Sequence, residues 1–212
     1  MQSVNHRCLG GEAGRVGHGT PRTAPLGSAN AERAKSALLR YDYMNIPDHE
    51  IRTLCEQGLV TPYEPSLINP ASLDVRLGAS MLIESAESPE MVPYPFGDHS
   101  ENAPYLLAPG EFVLLPTLEF VQIPEHLDAQ FVLKSSRARE GIQHMLAGYL
   151  DPGFCGVITL ELQNSRQLHS IPIWPGMKIG QLKLSPLRSR PERSYAQTGR
   201  YHQAQTVEAS KG

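Results

Sequence analysis

Residues 134–164 have the sequence KSSRAREGIQHMLAGYLDPGFCGVITLELQN, in which three patterns follow one another. The first is a basic, polar segment that ends at Gly141. The second is the turn Asp151-Pro152-Gly153, because proline presets one backbone dihedral and glycine tolerates a positive φ. The third, residues 157–162, alternates and is rich in β-branched side chains, which predicts a strand.

Glu161 lies among apolar neighbours in that predicted strand. Alternation places it on the same face as Thr159 and opposite Leu160 and Leu162. It is either a surface residue on a solvated face or a catalytic acid whose raised pKa lets it move protons near neutral pH. Most carboxylates are exposed, so the residues alone favour the first interpretation.

The basic segment is a candidate anion site. Ser135 could cap a short helix that starts near Ser136, which would leave free backbone N–H groups beside basic side chains. Arg139 is the best single donor, since a guanidinium meets a phosphate with two parallel hydrogen bonds. A basic surface turn without a ligand explains the same spacing equally well.

Composition narrows the class of protein. The chain has 212 residues, 40% of them hydrophobic, with 18 prolines and 18 glycines. These totals predict one domain with a tail, built from short strands joined by turns. The net charge of −3 disfavours a general nucleic-acid binder but not a site for a small polyanion.

No run of 18 apolar residues predicts a membrane span, and no apolar core of a signal peptide opens the sequence. We therefore expect a cytoplasmic protein that binds neither nucleic acid nor membrane. Three widely spaced cysteines suggest neither a disulfide framework nor a metal knuckle.

Familiar catalytic motifs are missing. His99-Ser100-Glu101 matches the H-x-E half of the zinc deaminase signature, but the P-C-x-x-C half is absent. The sequence also lacks a G-x-S-x-G nucleophile motif and a P-loop. The remaining candidate is a metal-free acid–base site at Glu161.

The rest of the chain divides into three parts. Residues 1–43 predict a poorly ordered extension. Residues 44–187 carry the periodic patterns of a folded domain. Residues 188–212 form a polar tail with tyrosines and arginines, which we expect to fold over a ligand.

Three local patterns carry further expectations within the predicted domain. Asp48 is a candidate N-cap of a helix that Gly58 ends. Asp74 and Arg76 alternate with apolar residues, which predicts an ion pair on one strand face. Pro116 is expected to break residues 112–120 into two short strands.

Five blocks, taken together and in order, resemble the dCTP deaminase branch of the dUTPase superfamily. They are INPASLDVRLG, PGEFVLLPTLEFVQIP, LKSSRAREG, AGYLDPGFCGVITLELQN and IPIWPGMKIGQL, and they fall within residues 46–201. Five ordered blocks are far more specific than any single motif.

The resemblance implies a mostly β fold with short helices, the distorted β-barrel (β-clip) of that superfamily. It implies a homotrimer with active sites between subunits. The implied reaction is hydrolytic deamination of dCTP to dUTP and ammonia, without a catalytic metal and with Mg²⁺ accompanying the triphosphate. dTTP is the inhibitor that such an enzyme is expected to bind.

The resemblance also implies residue roles. Glu161 would activate water for attack at cytosine C4 and protonate the ring and the departing amine. Ser135 and Arg139 would lie beside the water and the nucleotide, and the backbone of Ala147 would help to hold the water. The implied substrate contacts are Lys134, Ser136 and Arg137 at the phosphates, Asp151 at the deoxyribose, Thr159 and Leu160 at the base, and Tyr195, Arg200 and Gln205 in the tail.

Two departures from the family pattern leave alternatives open. Arg137 stands where better-known members carry an apolar residue, and the tail offers Gln203 or Gln205 where the family has one glutamine at an intermediate position. A preference for dCTP over dCMP is therefore not fixed. The competing functions are a bifunctional enzyme that also splits dUTP to dUMP and pyrophosphate, a plain dUTPase, and a non-catalytic nucleotide sensor.

Overall fold

The computed structural model describes residues 45–212, and the predicted extension at residues 1–43 lies outside the described residues. Among the described residues, thirteen strands form three antiparallel sheets. The six-stranded sheet has the order β5-β4-β7-β11-β9, with β1 paired to β7. The second sheet has the order β10-β8-β13-β3-β2, and β12 pairs with β6 in the third.

The strands are short apart from three, β7, β11 and β13. Their bounds are β1 Val60–Thr61, β2 Ile68–Asn69, β3 Ser72–Arg76, β4 Met81–Ser85, β5 Ser88–Tyr94, β6 Tyr105–Leu107, β7 Phe112–Gln122, β8 Leu127–Leu133, β9 Ile142–His144, β10 Tyr149–Leu150, β11 Cys155–Asn164, β12 Ile171–Ile173 and β13 Lys178–Pro186.

Helical segments are few in the described part of the chain. The α-helices are Asp48–Glu56, Ser135–Glu140 and Tyr195–Thr198, with single 3₁₀ turns at Pro65–Leu67 and Phe96–Asp98. The mostly β fold with short helices that the sequence predicts is therefore confirmed.

A single apolar core holds the sheets together. Inward-facing residues of β3, β7, β11 and β13 are almost fully buried, among them Val75, Leu115, Leu160 and Leu182. Burial of each such side chain stabilises the fold by roughly 1.5–3 kcal/mol. The core thereby fixes which face of β11 is left for other contacts, since alternate residues must point away from it.

The predicted break at Pro116 is wrong. The chain continues as one strand, β7, from Phe112 to Gln122. Pro116 lies opposite Thr159 of β11, at the start of an irregularity in the pairing. Proline is tolerated at such a bulge because a ladder hydrogen bond is already missing there.

The predicted ion pair between Asp74 and Arg76 is also wrong. Asp74 accepts a hydrogen bond from Lys134 Nζ at 2.6 Å, whereas Arg76 Nε donates to Glu119 at 2.7 Å. Each charge is partly or fully buried, and the two take partners from different elements. Charges spaced two apart along a strand share a face, but each also reaches side chains of the neighbouring strands.

The helix at Asp48–Glu56 matches the predicted element, but Asp48 is its first residue rather than its N-cap. The Asp48 carboxylate accepts the neighbouring His49 N–H at 2.9 Å, and Pro47 occupies the capping position. Gly58 follows with φ of +98°, which suits a chain reversal after a helix. Within residues 45–212 no helix is long and apolar enough to span a bilayer.

Candidate functional site

A cavity of about 540 Å³ lies against the face of β11 that points away from the core. Thr159 and Glu161 both line it, and Leu160 between them is buried in the core. The opposing strand β7 contributes Leu114, which pairs with Glu161 across the ladder. The alternation predicted for this strand is confirmed, but the face that carries Glu161 is a cavity wall rather than a solvated surface.

One oxygen of the Glu161 carboxylate is held in this wall without a hydrogen-bond partner. Its Oε2 atom is buried and has no hydrogen-bond partner among the described residues. Burial raises the pKa of Glu161, and a hydrogen bond with its own backbone N–H opposes only part of that rise. A carboxyl group in this setting keeps its proton to a higher pH than an exposed carboxyl does, and can donate a proton to a bound molecule or accept one from it.

The C-terminal tail forms the opposite wall of the cavity. Tyr195, Tyr201 and Ala204 line it, and the tail is tied to β11 by a hydrogen bond from Val157 N to Ala204 O at 2.9 Å. Gly156 makes this approach possible, because a Cβ there would lie 3.0 Å from the backbone N of Ala204. That the tail folds over a bound ligand stays a prediction.

Aromatic side chains give the wall its shape. Tyr195 packs against Phe154 with ring centroids 5.5 Å apart, and its hydroxyl accepts the backbone N–H of Tyr201 at 3.2 Å. Aromatic rings offer flat apolar surfaces on which a planar ligand such as a nucleobase can stack.

The helix Ser135–Glu140 lies apart from the cavity of its own chain. Ser135, Ser136 and Arg139 are exposed, and none of them lines that cavity. The other two basic residues of the segment are engaged: Lys134 with Asp74, and Arg137 with the Glu140 carboxylate at 2.7 Å. The free donors of the basic segment therefore face outward.

Of the remaining predicted site residues, some line the cavity and others lie outside it. Ala147 lines the cavity beside Glu161. The Leu160 side chain is buried in the core, so only its backbone could contact a bound molecule. Asp151, Arg200 and Gln205 are exposed and lie outside the cavity lining.

Comparison with known proteins decides the family. The profile of the dCTP deaminase-like family matches residues 46–187. The chain belongs to the dCTP deaminase-like family. The resemblance stated from the five sequence blocks is therefore confirmed.

Curated members of this family are similar over most of their length. The "dCTP deaminase, dUMP-forming" of Streptomyces griseus is 40% identical over 167 residues, which are 72% of this chain and 85% of the relative. The protein of the same name from Mycobacterium sp. strain KMS is 40% identical over 175 residues, covering 76% and 92%.

A solved structure supports the fold. The 2'-deoxycytidine 5'-triphosphate deaminase from Agrobacterium tumefaciens aligns with a TM-score of 0.54 at 20% identity. The match covers 67% of this chain and about half, 48%, of that one. At this identity the likeness bears on the fold alone.

Some cavity residues of this dCTP deaminase-like chain were not expected from its sequence. Glu208 lines the cavity and pairs with Lys211 at 2.8 Å, and its backbone N–H lies 3.4 Å from Thr159 Oγ1. Met91 and Phe112 come from neighbouring strands. Phe112 alternates with Leu114, and this spacing was the available signal that the two share a strand face. Nothing in the local sequence marks Met91 or Glu208 as cavity residues.

In the partial zinc motif His99-Ser100-Glu101, the histidine contacts other residues of the protein. His99 stacks on Tyr94, accepts or donates a hydrogen bond to its hydroxyl at 3.2 Å, and contacts Ala103 O at the same distance. Within residues 45–212 no cluster of three or more His, Cys, Asp or Glu side chains is arranged to hold a metal ion.

The pKa of Glu161 predicts a pH-dependent stability. Because this pKa is raised above its ordinary value of 4.5, the folded chain binds more protons than the unfolded chain from pH 4.5 up to the raised value. The group therefore destabilises the fold as pH rises through that window. In Glu161→Gln this effect is absent. The free energy of unfolding of the variant should therefore rise relative to that of wild type as the pH increases over the same window.

Denaturant titrations at a series of pH values measure this difference at fixed protein concentration. Below about pH 4.5 the difference between variant and wild type should be constant, since both side chains are then neutral. A difference that stays constant up to neutral pH would mean that the Glu161 carboxyl titrates normally.

Proposed function

We propose that this protein hydrolyses dCTP to dUMP, ammonia and pyrophosphate at a site built around Glu161. The observation that carries the proposal is the buried, unpartnered carboxylate in a cavity of nucleotide size between β11 and the tail. The names of the two curated relatives, both dUMP-forming, support this product over the dUTP predicted from the sequence.

The deamination step needs one group that handles protons twice. Glu161 takes one proton from water as the water oxygen bonds to cytosine C4, and gives it to ring N3. It then takes the second proton from the new C4 hydroxyl, which becomes the C4 carbonyl, and gives it to the amino group. The C4–N bond then breaks and ammonia leaves. A carboxyl with a raised pKa suits both transfers, because it is neither too strong an acid nor too weak a base near neutral pH.

The base would be recognised by the surroundings of Glu161. Thr159 and Tyr195 both line the cavity, and the backbone of Leu160, which follows Thr159 in β11, would complete the contacts with the base. The backbone of Ala147 lies in the same lining and would help to hold the water. Closure by the tail would exclude bulk water, which strengthens the electrostatic contacts of the bound nucleotide.

The second step is hydrolysis of the dUTP formed. A water oxygen bonds to the α-phosphorus, and the bond to the bridging oxygen of the β-phosphate breaks to release pyrophosphate. Asp151, at the turn before β11, is the candidate to orient the deoxyribose and serve this step.

The phosphates need cationic donors that the cavity of one chain does not supply. Arg139 would supply a cationic donor from a neighbouring chain, with the neutral hydroxyls of Ser135 and Ser136 beside it, and Lys134 and Arg137 would complete the basic segment. Their exposure outside the cavity of their own chain supports a homotrimer with shared sites. Leu146 and Tyr149, 85% and 61% exposed beside Ala147, provide apolar surface for such a contact.

The tail residues Arg200 and Gln205 are both exposed in this structure. To contact the triphosphate, they would move toward it when it binds. Mg²⁺ would arrive with the nucleotide, bound by phosphate oxygens and water, for which one or two carboxylates suffice.

The product balance tests this proposal. In a stopped assay with dCTP and Mg²⁺, ammonia and pyrophosphate should appear in equal amounts, with dUMP as the nucleotide product. Ammonia with accumulating dUTP would instead establish the dUTP-forming deaminase predicted from sequence. Hydrolysis of dUTP with no reaction of dCTP would identify a plain dUTPase, and tight binding without turnover would identify a sensor.

Parallel assays with dCMP, CTP and added dTTP define the specificity of the same site. Loss of reaction with dCMP would show that the triphosphate contacts contribute to catalysis. Competition by dTTP would show that the cavity binds a thymine nucleotide in place of the substrate.

A further inference from the structure

The strand that carries Glu161 is not in continuous register with its neighbour. Val157 of β11 lies opposite Phe120 of β7, whereas Thr159 lies opposite Pro116. Two steps along β11 therefore correspond to four along β7, so residues 117–119 lie opposite Ile158 alone and form a bulge with two extra residues. Such bulges locally interrupt the ladder and change the direction of the side chains that follow.

Thr117 fills the gap that this bulge leaves. Its side chain is 2% exposed, and its Oγ1 accepts the backbone N–H of Ile158 at 3.0 Å. The same hydroxyl donates to the carbonyl of Glu119 at 2.8 Å. One hydroxyl thus joins the two sides of the irregularity, and a side chain without both a donor and an acceptor could not do so.

The bulge itself is anchored in the second sheet. Glu119 is fully buried and accepts hydrogen bonds from both the backbone N and Nε of Arg76, at 2.8 and 2.7 Å. Thr117 also forms a bridge with Leu77. The Thr117 hydroxyl is therefore held on a rigid base, and Ile158 takes its position from it.

We propose that Thr117 is a positioning residue for the deamination reaction, because its hydroxyl holds the Ile158 amide and thereby sets where Thr159 and Glu161 stand in the cavity wall. Thr117 does not line the cavity, so it acts through β11 and not by touching the nucleotide. This inference rests on the proposed function of Glu161.

Removal of the hydroxyl tests the proposal. In Thr117→Val the shape is kept but the Ile158 N–H loses its acceptor. We expect kcat for ammonia release to fall about 10- to 100-fold, since a small misplacement of a catalytic group has effects of this size. KM should change less, and the pH profile should shift because the Glu161 carboxyl is less well enclosed. Thr117→Ser keeps the hydroxyl and should restore most of the rate.

Stability is separated from positioning by a matched control. Ile51→Val removes a buried methylene from the helix Asp48–Glu56, remote in sequence and not part of the cavity, and should lower the melting temperature without changing kcat or the pH profile. If Thr117→Val does not fold, Thr117→Ala tests the same loss with less steric demand. Equal kcat and pH profile in wild type and the hydroxyl-free variant would overturn the proposal, as would failure of Thr117→Ser to differ from Thr117→Val.

Amide hydrogen exchange at Ile158 and NMR titration of the Glu161 carboxyl give readouts that do not need turnover. Faster exchange and a Glu161 pKa closer to its ordinary value in Thr117→Val, with both restored in Thr117→Ser, support the positioning role. Unchanged exchange and titration overturn it. Inactivity of the wild-type protein toward dCTP would contradict the proposed function instead, and these two measurements would still decide the role of Thr117.

Discussion

Glu161→Gln is expected to lower the rate of ammonia release from dCTP by about 10²- to 10⁴-fold, the contribution typical of one general acid–base group. The side chain that replaces the carboxyl has nearly the same shape but cannot exchange a proton. Because the Oε2 atom of Glu161 has no hydrogen-bond partner among residues 45–212, the substitution breaks no hydrogen bond there at that atom. The loss should therefore fall on kcat, and dCTP should still bind.

Two measurements together make this prediction decisive. Ammonia release in single-turnover mixtures reports the chemical step, and equilibrium binding of dCTP reports the integrity of the cavity. Glu84→Gln is a suitable control, because it makes the same chemical change at an exposed position of β4 in the same sheet. Equal rates in wild type and Glu161→Gln would remove Glu161 from the mechanism.

The sequence predicted those features that depend on local patterns. Alternation along residues 157–162 placed Thr159 and Glu161 on one face of a strand, and the structure has the same arrangement in β11. The short helix after Lys134 and the helix near Asp48 were also predicted, because their signals lie within a few residues. The predicted caps were wrong: Ser135 and Asp48 are the first residues of their helices, and Lys134 and Pro47 hold the N-cap positions.

Features that depend on distant partners could not be predicted in this way. The ion pairs of Asp74 and Arg76 join them to Lys134 and Glu119, which are 60 and 43 residues away. The strand through Pro116 continues because β7 pairs with β11 on one side and with β4 and β1 on the other, which no local propensity reveals. The cavity wall formed by the tail likewise arises from contacts across about fifty residues, between Thr159 and Glu208.

The interpretation of Glu161 shows the same limit. From the strand pattern alone a solvated carboxylate was favoured, because exposure is the ordinary state of such groups. What changes the interpretation is the tail, which covers this face with Tyr195 and Tyr201. The raised pKa of Glu161 is therefore a product of tertiary structure; the strand pattern left it as the less favoured alternative, and the family resemblance favoured it.

Mixing two inactive variants is expected to restore activity if the active site is shared between chains. Glu161→Gln should be inactive because it lacks the proton carrier, and Arg139→Ala because it lacks a bidentate phosphate donor. Arg139 is exposed and does not line the cavity of its own chain. In mixed oligomers some sites would combine the intact Glu161 of one chain with the intact Arg139 of its neighbour.

The size of the recovery follows from random assembly. With equal amounts of the two variants, about a quarter of the sites in a closed ring of chains would have both residues intact, so about a quarter of wild-type activity should return. If both residues acted within one chain, every site would carry one defect and no activity would return. Mass spectrometry of the intact oligomers verifies that the subunits have exchanged.

A double variant provides the control for this experiment. Glu161→Gln mixed with the chain that carries both Glu161→Gln and Arg139→Ala should stay inactive, since no site can then receive an intact glutamate. Recovery in the first mixture and none in the second would support a site between chains, with the outward-facing donors of the helix Ser135–Glu140 serving the cavity of a neighbour. No recovery despite verified exchange would place phosphate binding elsewhere and would leave the exposure of Arg139 unrelated to catalysis.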